Sequence, residues 1–257
     1  IRVGVTVTKI DTQGGSVSGV RLDTGEFIAA DIVVSNSDAT LTNDLLSQPD
    51  RKLMPKITDS PSLAGFVLLL ALDGNTEGIA HHNVWFPENY NAEFDAIFGK
   101  APTPPNDPAI YACVPDDPQM RPSPDCESWF ILVNAPRHDS SGSNGFNWNA
   151  PGCKEQYAQQ ILDILAARGT DIRSRVKWQE IRTPADLERD AMAPGGSIYG
   201  ASSNGPRAAF TRPANQSNIP GLYLVGGSSH PGGGLPLVGM GAEITAELIG
   251  RAEKPNP

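Results

Sequence analysis

The sequence contains no complete Gly-x-Gly-x-x-Gly string, so the usual dinucleotide-binding opening of an α/β domain is missing. Cysteine is scarce: Cys113, Cys126 and Cys153 are the three, and none forms a Cys-x-x-Cys pair. That count excludes a disulfide framework and points to a reducing compartment, with the three thiols read as small buried hydrophobes. Basic charge is also short, with 20 Lys and Arg against 29 Asp and Glu, a net charge of -9, and no run of five like charges. Nucleic acid is therefore excluded as the main partner, because neutralising phosphates needs clustered cations. No apolar run exceeds Leu63–Leu72, too short to cross a bilayer. There is no signal peptide, no repeat and no Gly-x-Ser-x-Gly elbow. Ile1 is not an initiator methionine and the first residues already run as a strand, so the chain reads as a piece of a longer one.

What is present suits one large domain or two small ones: 257 residues, 39% of them apolar. Arg2 to Ile10 alternates as a half-buried strand, with Val3, Val5 and Val7 on one side. Gly14-Gly15 makes a turn, Ser16 to Leu22 a second strand, and Phe27 to Ala30 continues the meander. Asp31 to Asn36 reads as a short parallel strand covered on both faces, followed by a helix from Asp38 to Leu46. The character then changes. Leu63–Leu72 and Trp129–Asn134 read as buried strands, Lys154–Arg168 as a helix with a Tyr157, Ile161, Ile164, Leu165 stripe and Gly169 as its stop, and Val176–Ile181 as a strand. Thr183-Pro184-Ala185-Asp186 has the form of a helix start. Ala193 to Gly205 reads as a loop over a cavity.

The densest stretch comes near the end. Leu222–Val225 is a short apolar strand, Gly226–Gly234 a glycine-rich loop, and Gly239–Ile249 a helix with Ala242, Ala246 and Ile249 on one side. Such a loop can seat a phosphate or bring backbone against an aromatic ring, and it can equally be a plain turn. Among the four histidines, His81 and His82 are adjacent and are expected to face opposite ways on a strand, so no metal site is expected. Ser229-His230 reads as loop hydrogen bonding and His138 stands alone. Trp85, Phe86, Tyr90, Phe94 and Phe98 fit either core packing or the lining of an apolar ligand site, and Leu63–Leu72 either a core strand or a tunnel wall.

Asn218-Ile-Pro-Gly-Leu-Tyr-Leu-Val-Gly-Gly-Ser-Ser-His-Pro-Gly-Gly-Gly-Leu-Pro-Leu-Val238 closely resembles the C-terminal signature of bacterial-type phytoene desaturases and related carotenoid oxidoreductases, flavoenzymes of the amine-oxidase-like superfamily. Ala30–Asp38, the His81–Tyr90 segment with Glu93-Phe94, Thr183–Leu187 and Arg212-Pro213 resemble further elements of that family, so the likeness runs through essentially the whole chain.

The resemblance implies an α/β (mixed α+β) fold: a partial FAD-binding Rossmann-like domain that lacks its N-terminal βαβ unit, plus a mixed-sheet substrate domain. The expected division is 1–50 and 214–257 for the FAD portion and 51–213 for the substrate domain. It implies FAD as cofactor, a carotenoid or other long apolar substrate, desaturation, isomerisation or oxidation of a polyene such as phytoene, and a missing N-terminal half as partner. It further implies a cytoplasmic protein peripheral to the membrane. Val7, Asn36, Gly226, Gly227, Pro236, Leu237 and Val238 are the cofactor contacts it implies: Val7 at the adenine end, the two glycines beside the ribityl and pyrophosphate, and the last three near the pyrimidine ring. Gly227 stands where many amine oxidases have an acid, which favours the carotenoid branch over a polar substrate. No catalytic acid or base is carried over.

Overall fold

A computed structural model describes residues 1–53, 61–121, 123–202 and 212–250. It forms two compact units. The first combines the chain's two ends, Ile1–Ser62 and Ile198 onward, with Met192–Pro194; the second is Leu63–Ala191 with Gly195–Ser197. The expected limits lay near 50 and 213, and the contacts place them at 62 and near 198. Local pairing is the reason. Pro61 bridges Ala201, and the Ser62 N–H donates to the Gly200 carbonyl at 2.8 Å, so both flanks of the inserted unit are joined inside the first. The end of the Ala193–Gly205 stretch lies outside the described residues.

The first unit opens with an antiparallel meander, β1 (Val7–Gln13), β2 (Ser16–Leu22) and β3 (Phe27–Ala29). Gln13 pairs with Ser16, so Gly14 and Gly15 alone turn the chain, at φ 61° and 87°. Positive φ at both positions is what a two-residue hairpin turn of matching twist needs. The strand expected from Arg2 begins only at Val7. Val7 faces Leu22, the last residue of β2, so the residues before it have no strand to pair with in this sheet, and Val3 and Val5 are exposed. After β4 (Val33–Ser35), Asp38 caps α1 (Ala39–Asp44) by accepting from the Thr40 N–H at 2.8 Å.

The second unit is a five-stranded sheet with helices. Its elements are β5 (Ala64–Asp73), β6 (His82–Trp85), α2 (Tyr90–Phe98), β7 (Ile110–Cys113), β8 (Cys126–Ala135), α3 (Cys153–Ala167), β9 (Val176–Arg182) and α4 (Pro184–Ala191). The strand order is β6-β7-β8-β5-β9, and every neighbouring pair is antiparallel. The expected mixed sheet is therefore corrected for this unit: its described strands run alternately up and down. One face is core. Phe66, Leu68, Leu70 and Leu72 of β5 and Trp129, Ile131 and Val133 of β8 cluster with Tyr157, Ile161 and Leu165 of α3. Apolar burial of this kind contributes about 1.5–3 kcal/mol per large side chain.

Helix ends follow their local chemistry. At the end of α3 the Thr170 N–H donates to the Leu165 carbonyl and the Gly169 N–H to Ala166, with Gly169 at φ 90°. This paired arrangement satisfies carbonyls that the helix leaves open. At the start of α4 the Thr183 hydroxyl accepts from the Asp186 N–H, and the Asp186 carboxylate accepts in return from the Thr183 N–H at 2.9 Å. The three cysteines are free and half-buried rather than fully buried; two of them end strands at the sheet margin.

The chain returns to the first unit with β10 (Leu222–Leu224) and α5 (Leu235–Ile249). β10 pairs in parallel with β4, and their core comprises Ile10, Val17, Ala39, Leu46, Leu53, Leu222 and Leu224. Parallel pairing was expected, but full cover of β4 was not realised: Ile32 and Val34 are each 46% exposed. α5 also differs from its expected face. The packed residues are Gly241 and Thr245, while Ala242 and Ala246 are exposed and Leu235, Leu237, Met240 and Leu248 lie outward.

Glu127, buried near the start of β8 opposite Leu72 of β5, accepts from the Thr76 N–H (2.7 Å), the Thr76 hydroxyl (2.6 Å) and the Trp129 indole (3.0 Å), with Arg175 at 3.7 Å. Burial pushes its pKa up, but these hydrogen bonds outweigh burial and hold it below the usual carboxylate range. A depressed folded pKa stabilises above the unfolded value, and that stability is lost as pH falls below about 4.3. Glu127→Gln should lower unfolding stability at pH 7 by about 1–3 kcal/mol and flatten the acid limb. Urea denaturation across pH checks both, and equal midpoints at pH 7 would contradict the account.

The glycine loop and the open sheet face

The loop is built outward from β10. Leu222, Tyr223 and Leu224 are all buried, in register with Val33, Val34 and Ser35. The Val225 N–H donates to the Ser35 carbonyl at 2.9 Å, continuing the ladder to the point where Asn36 and Gly226 meet. Gly226 has φ 100°, and a Cβ there would lie 2.4 Å from Asn36 Oδ1. Glycine is therefore required twice over, by conformation and by space. Gly227 lies against Gly233, backbone to backbone, with 3.4 Å between its Cβ position and the Gly233 Cα. A Cβ on Gly233 would meet the Tyr199 ring at 2.5 Å.

Polar contacts pin this turn. Arg212 Nη1 donates to the Gly227 carbonyl (2.8 Å) and the Tyr199 carbonyl (2.9 Å). The Ala39 N–H, at the start of α1, donates to Ser228 Oγ at 3.0 Å. Ser229, fully buried, donates through its hydroxyl to the Gly226 carbonyl, and Asn215 Nδ2 donates to the carbonyls of His230 and Leu224. His230 thus serves the loop through its backbone. Asp50 fixes the approach to β10. Its carboxylate accepts from the Ser217 hydroxyl and from the N–H and side-chain amide of Asn218, both at 2.7 Å. Burial raises its pKa, and hydrogen bonds from Ser217, Lys52 and Asn218 more than reverse that.

The structure brings Asn36, Gly226 and Gly227 together, with Pro236, Leu237 and Val238 in the first turn of α5. Val7 belongs to the separate meander, paired with Leu22 and 37% exposed. Sequence reasoning named Arg212 but gave it no role, and it missed Tyr199, Asn215 and Ser228. Their contacts reach nine or more residues along the chain and leave no periodic trace. α5 starts at Gly234 with no side-chain cap and no acid in its first turn. Its N-terminal N–H groups therefore carry unneutralised partial positive charge, beside the exposed side chains of Leu235 and Leu237. That combination suits a flat apolar ring with a hydrogen-bond-accepting edge.

The second unit contributes a different surface. Opposite its core, the sheet presents Val67, Leu69 and Ala71 of β5, Phe130 and Leu132 of β8, and Tyr111 and Val84 of β7 and β6. Phe130 is 38% exposed and Val84 49%. Leu63–Leu72 is thus core strand and wall at once, with alternate side chains serving each face. Charge on this face lies at its margins: Arg182 pairs with Glu180 and Asp190 at β9, Asp73 pairs with Lys177 at the end of β5, and His82 stands at the β6 edge. Of the aromatic group, Trp85 stacks on Trp129 of the core, whereas Phe86, Tyr90 and Phe94 form an edge-to-face ladder in which Phe86 and Tyr90 are exposed. Glu93 is structural: buried, it accepts from the Ala109 N–H and the Asn134 side-chain amide, both at 2.6 Å.

His81 and His82 do not face opposite ways as expected. β6 begins at His82, so strand alternation does not govern His81, and the two rings lie 4.5 Å apart, centre to centre.

No protein-family profile matches the chain. It is 33% identical to a 1-hydroxycarotenoid 3,4-desaturase of Flavobacterium sp. (strain P99-3), over 95% of this chain and 49% of the relative. It is 31% identical to a 4,4'-diaponeurosporene oxygenase of Staphylococcus aureus (strain USA300), over 100% of this chain and 51% of the relative. A solved oxidoreductase from Methanosarcina mazei shares the fold, with a TM-score of 0.55 at 19% identity over 95% of this chain and 49% of that one. The chain spans about half the length of these curated relatives.

The packing separates the two adjacent glycines. Gly226→Ala should destabilise the protein by about 1–3 kcal/mol, because it adds strain at positive φ to a clash with Asn36. Gly227→Ala, with ordinary 3.4 Å clearance, should cost less than about 1 kcal/mol. Asn36→Gly should recover part of the Gly226→Ala loss. Thermal unfolding of the three variants tests the geometry, which equal effects at 226 and 227 would refute.

Proposed function

From a chain that is carotenoid-desaturase-like throughout and spans about half of each relative, we propose an FAD-dependent oxidoreductase acting on a carotenoid or similar long polyene. The reading rests chiefly on the open apolar face of the five-stranded sheet, Leu69, Val84, Phe130 and Leu132, which offers a hydrocarbon chain an extended dry wall. Its charged side chains stand at the margins, leaving the middle of the face apolar, which favours a polyene over a polar substrate.

The residues present fit a flavin. Asn36, Gly226 and Gly227 would flank its ribityl and phosphate portion, and Pro236, Leu237 and Val238 its ring, with Val7 reserved for the adenine end. The chemistry FAD would supply when bound is uptake of a hydride from an allylic C–H, while the neighbouring carbon loses a proton to solvent and the double bond forms between the two carbons. The protein's own share is to orient and to exclude water. The uncapped start of α5 would favour negative charge at the ring's accepting edge, with Leu235 and Leu237 as apolar side chains beside it. Desaturation, isomerisation and oxygenation all remain within this reading.

The first unit supports the idea that another polypeptide segment, corresponding to the other half of the relatives, completes the seat. α5 exposes Leu235, Leu237, Met240 and Leu248 on its outward side, more apolar surface than a solvent-facing helix usually carries, beside Glu243 and Glu247. No described helix is long and apolar enough to cross a membrane. Peripheral contact at the cytoplasmic surface is part of the proposal, with exposed Phe86, Tyr90 and Phe98 as the apolar group that would touch lipid.

The test uses the complete protein. It should purify yellow with bound flavin and convert phytoene or a hydroxylated or diapo-carotenoid. Phe130→Asp should lower that conversion at least tenfold while leaving flavin content and the circular dichroism spectrum unchanged. A flavin-loaded protein inert toward all three carotenoids would sink the proposal, and flavin retained by the 257-residue chain alone would sink the need for a completing segment.

A further inference from the structure

At the free edge of the five-stranded sheet three ligand-bearing side chains converge. His82 and Cys113 are direct cross-strand partners on β6 and β7, so their side chains leave the same face. His81 precedes the strand, and its carbonyl accepts from the Val114 N–H at 2.8 Å, which holds it beside the end of β7. One ring nitrogen of each histidine and the Cys113 sulfur lie within 4.8 Å of one another. Tetrahedral zinc holds such ligands about 3.5 Å apart, a closure within reach of side-chain rotation.

Each imidazole also has an outer partner. His81 Nδ1 lies 3.1 Å from an Asp116 carboxylate oxygen, and His82 Nδ1 lies 2.9 Å from the Tyr111 hydroxyl. A carboxylate or hydroxyl on one ring nitrogen fixes the tautomer and frees the other nitrogen to coordinate, an arrangement found around protein-bound metals. The donor set, two imidazoles and one thiol, is of the borderline-to-soft kind that selects zinc over magnesium or calcium. His82 is exposed while His81 and Cys113 are half-buried, so a cation can enter from solvent.

We propose that His81, His82 and Cys113 bind a zinc-class divalent cation, with Asp116 and Tyr111 orienting the two histidines. Binding forms two nitrogen–metal bonds and one sulfur–metal bond and releases the thiol proton of Cys113 to solvent. The fourth position is left to water. The ion clips edge strand β6, and the residue just before it, to β7. This inference does not depend on the carotenoid reading.

The experiment strips the complete protein with a chelator and titrates Zn2+ against a chromophoric competitor, then repeats it with Co2+. One ion per chain is expected, with thermal stability rising on addition and a thiolate-to-cobalt charge-transfer band in the near ultraviolet. Cys113→Ser should abolish the band, and His82→Ala should weaken zinc binding at least a hundredfold. Asp116→Asn should weaken it about tenfold. Asp116 is a surface side chain, 80% exposed, so that variant does not fail through misfolding. Absence of the band in the parent protein, or zinc binding unchanged in Cys113→Ser and Asp116→Asn, overturns the assignment.

Discussion

The parallel pairing of β4 with β10 is the contact on which the candidate loop depends. It is small, three residues on each side, yet it joins Val33–Ser35 to Leu222–Leu224 across most of the chain. Joining segments so far apart in sequence carries a loop-closure entropy that three ladder positions alone offset poorly. Side chains reinforce it. Asp50 grips Ser217 and Asn218 just before β10, Thr245 Oγ1 donates to the Leu224 carbonyl from α5, and Ser228 accepts from the first N–H of α1. Asn36 can face Gly226 only because these contacts hold the strands in register.

The second unit shows how one sheet serves two purposes. The side chains at Phe66, Leu68, Leu70 and Leu72 make a closed core with α3, and those between them make an open wall. A sheet face that stays apolar and half-exposed raises the free energy of the isolated fold, and it persists in proteins where something else comes to cover it. The outward leucines of α5 in the first unit pose the same question by a different geometry.

Much of this was legible in the sequence wherever a local rule governed. The Gly14-Gly15 turn, the Asp38 cap, the Gly169 stop and the Thr183–Asp186 exchange were each written in a few neighbouring residues, and each formed as local chemistry requires. The parallel strands and the meeting of Asn36 with Gly226 were legible through motif likeness. The failures have one physical theme: facts set by what lies across space. β1 starts at Val7 because β2 ends at Leu22. α5 packs through Gly241 and Thr245 because the Gly241 Cβ position comes within 3.2 Å of the His230 carbonyl, leaving room only for a small residue there. His81 and His82 converge because a strand begins between them. The hold of Arg212 on the Gly227 and Tyr199 carbonyls has no sequence signature at all.

The crossing points of the inserted unit have an evolutionary meaning. Its entry and exit lie side by side, with Pro61 bridged to Ala201 and Ser62 hydrogen-bonded to Gly200. An insert whose ends are already neighbours behaves as a cassette. It can lengthen, shorten or be exchanged between genes without disturbing the register of the strands that frame it. Changes of length within the cassette then leave the pairing of β4 with β10 untouched.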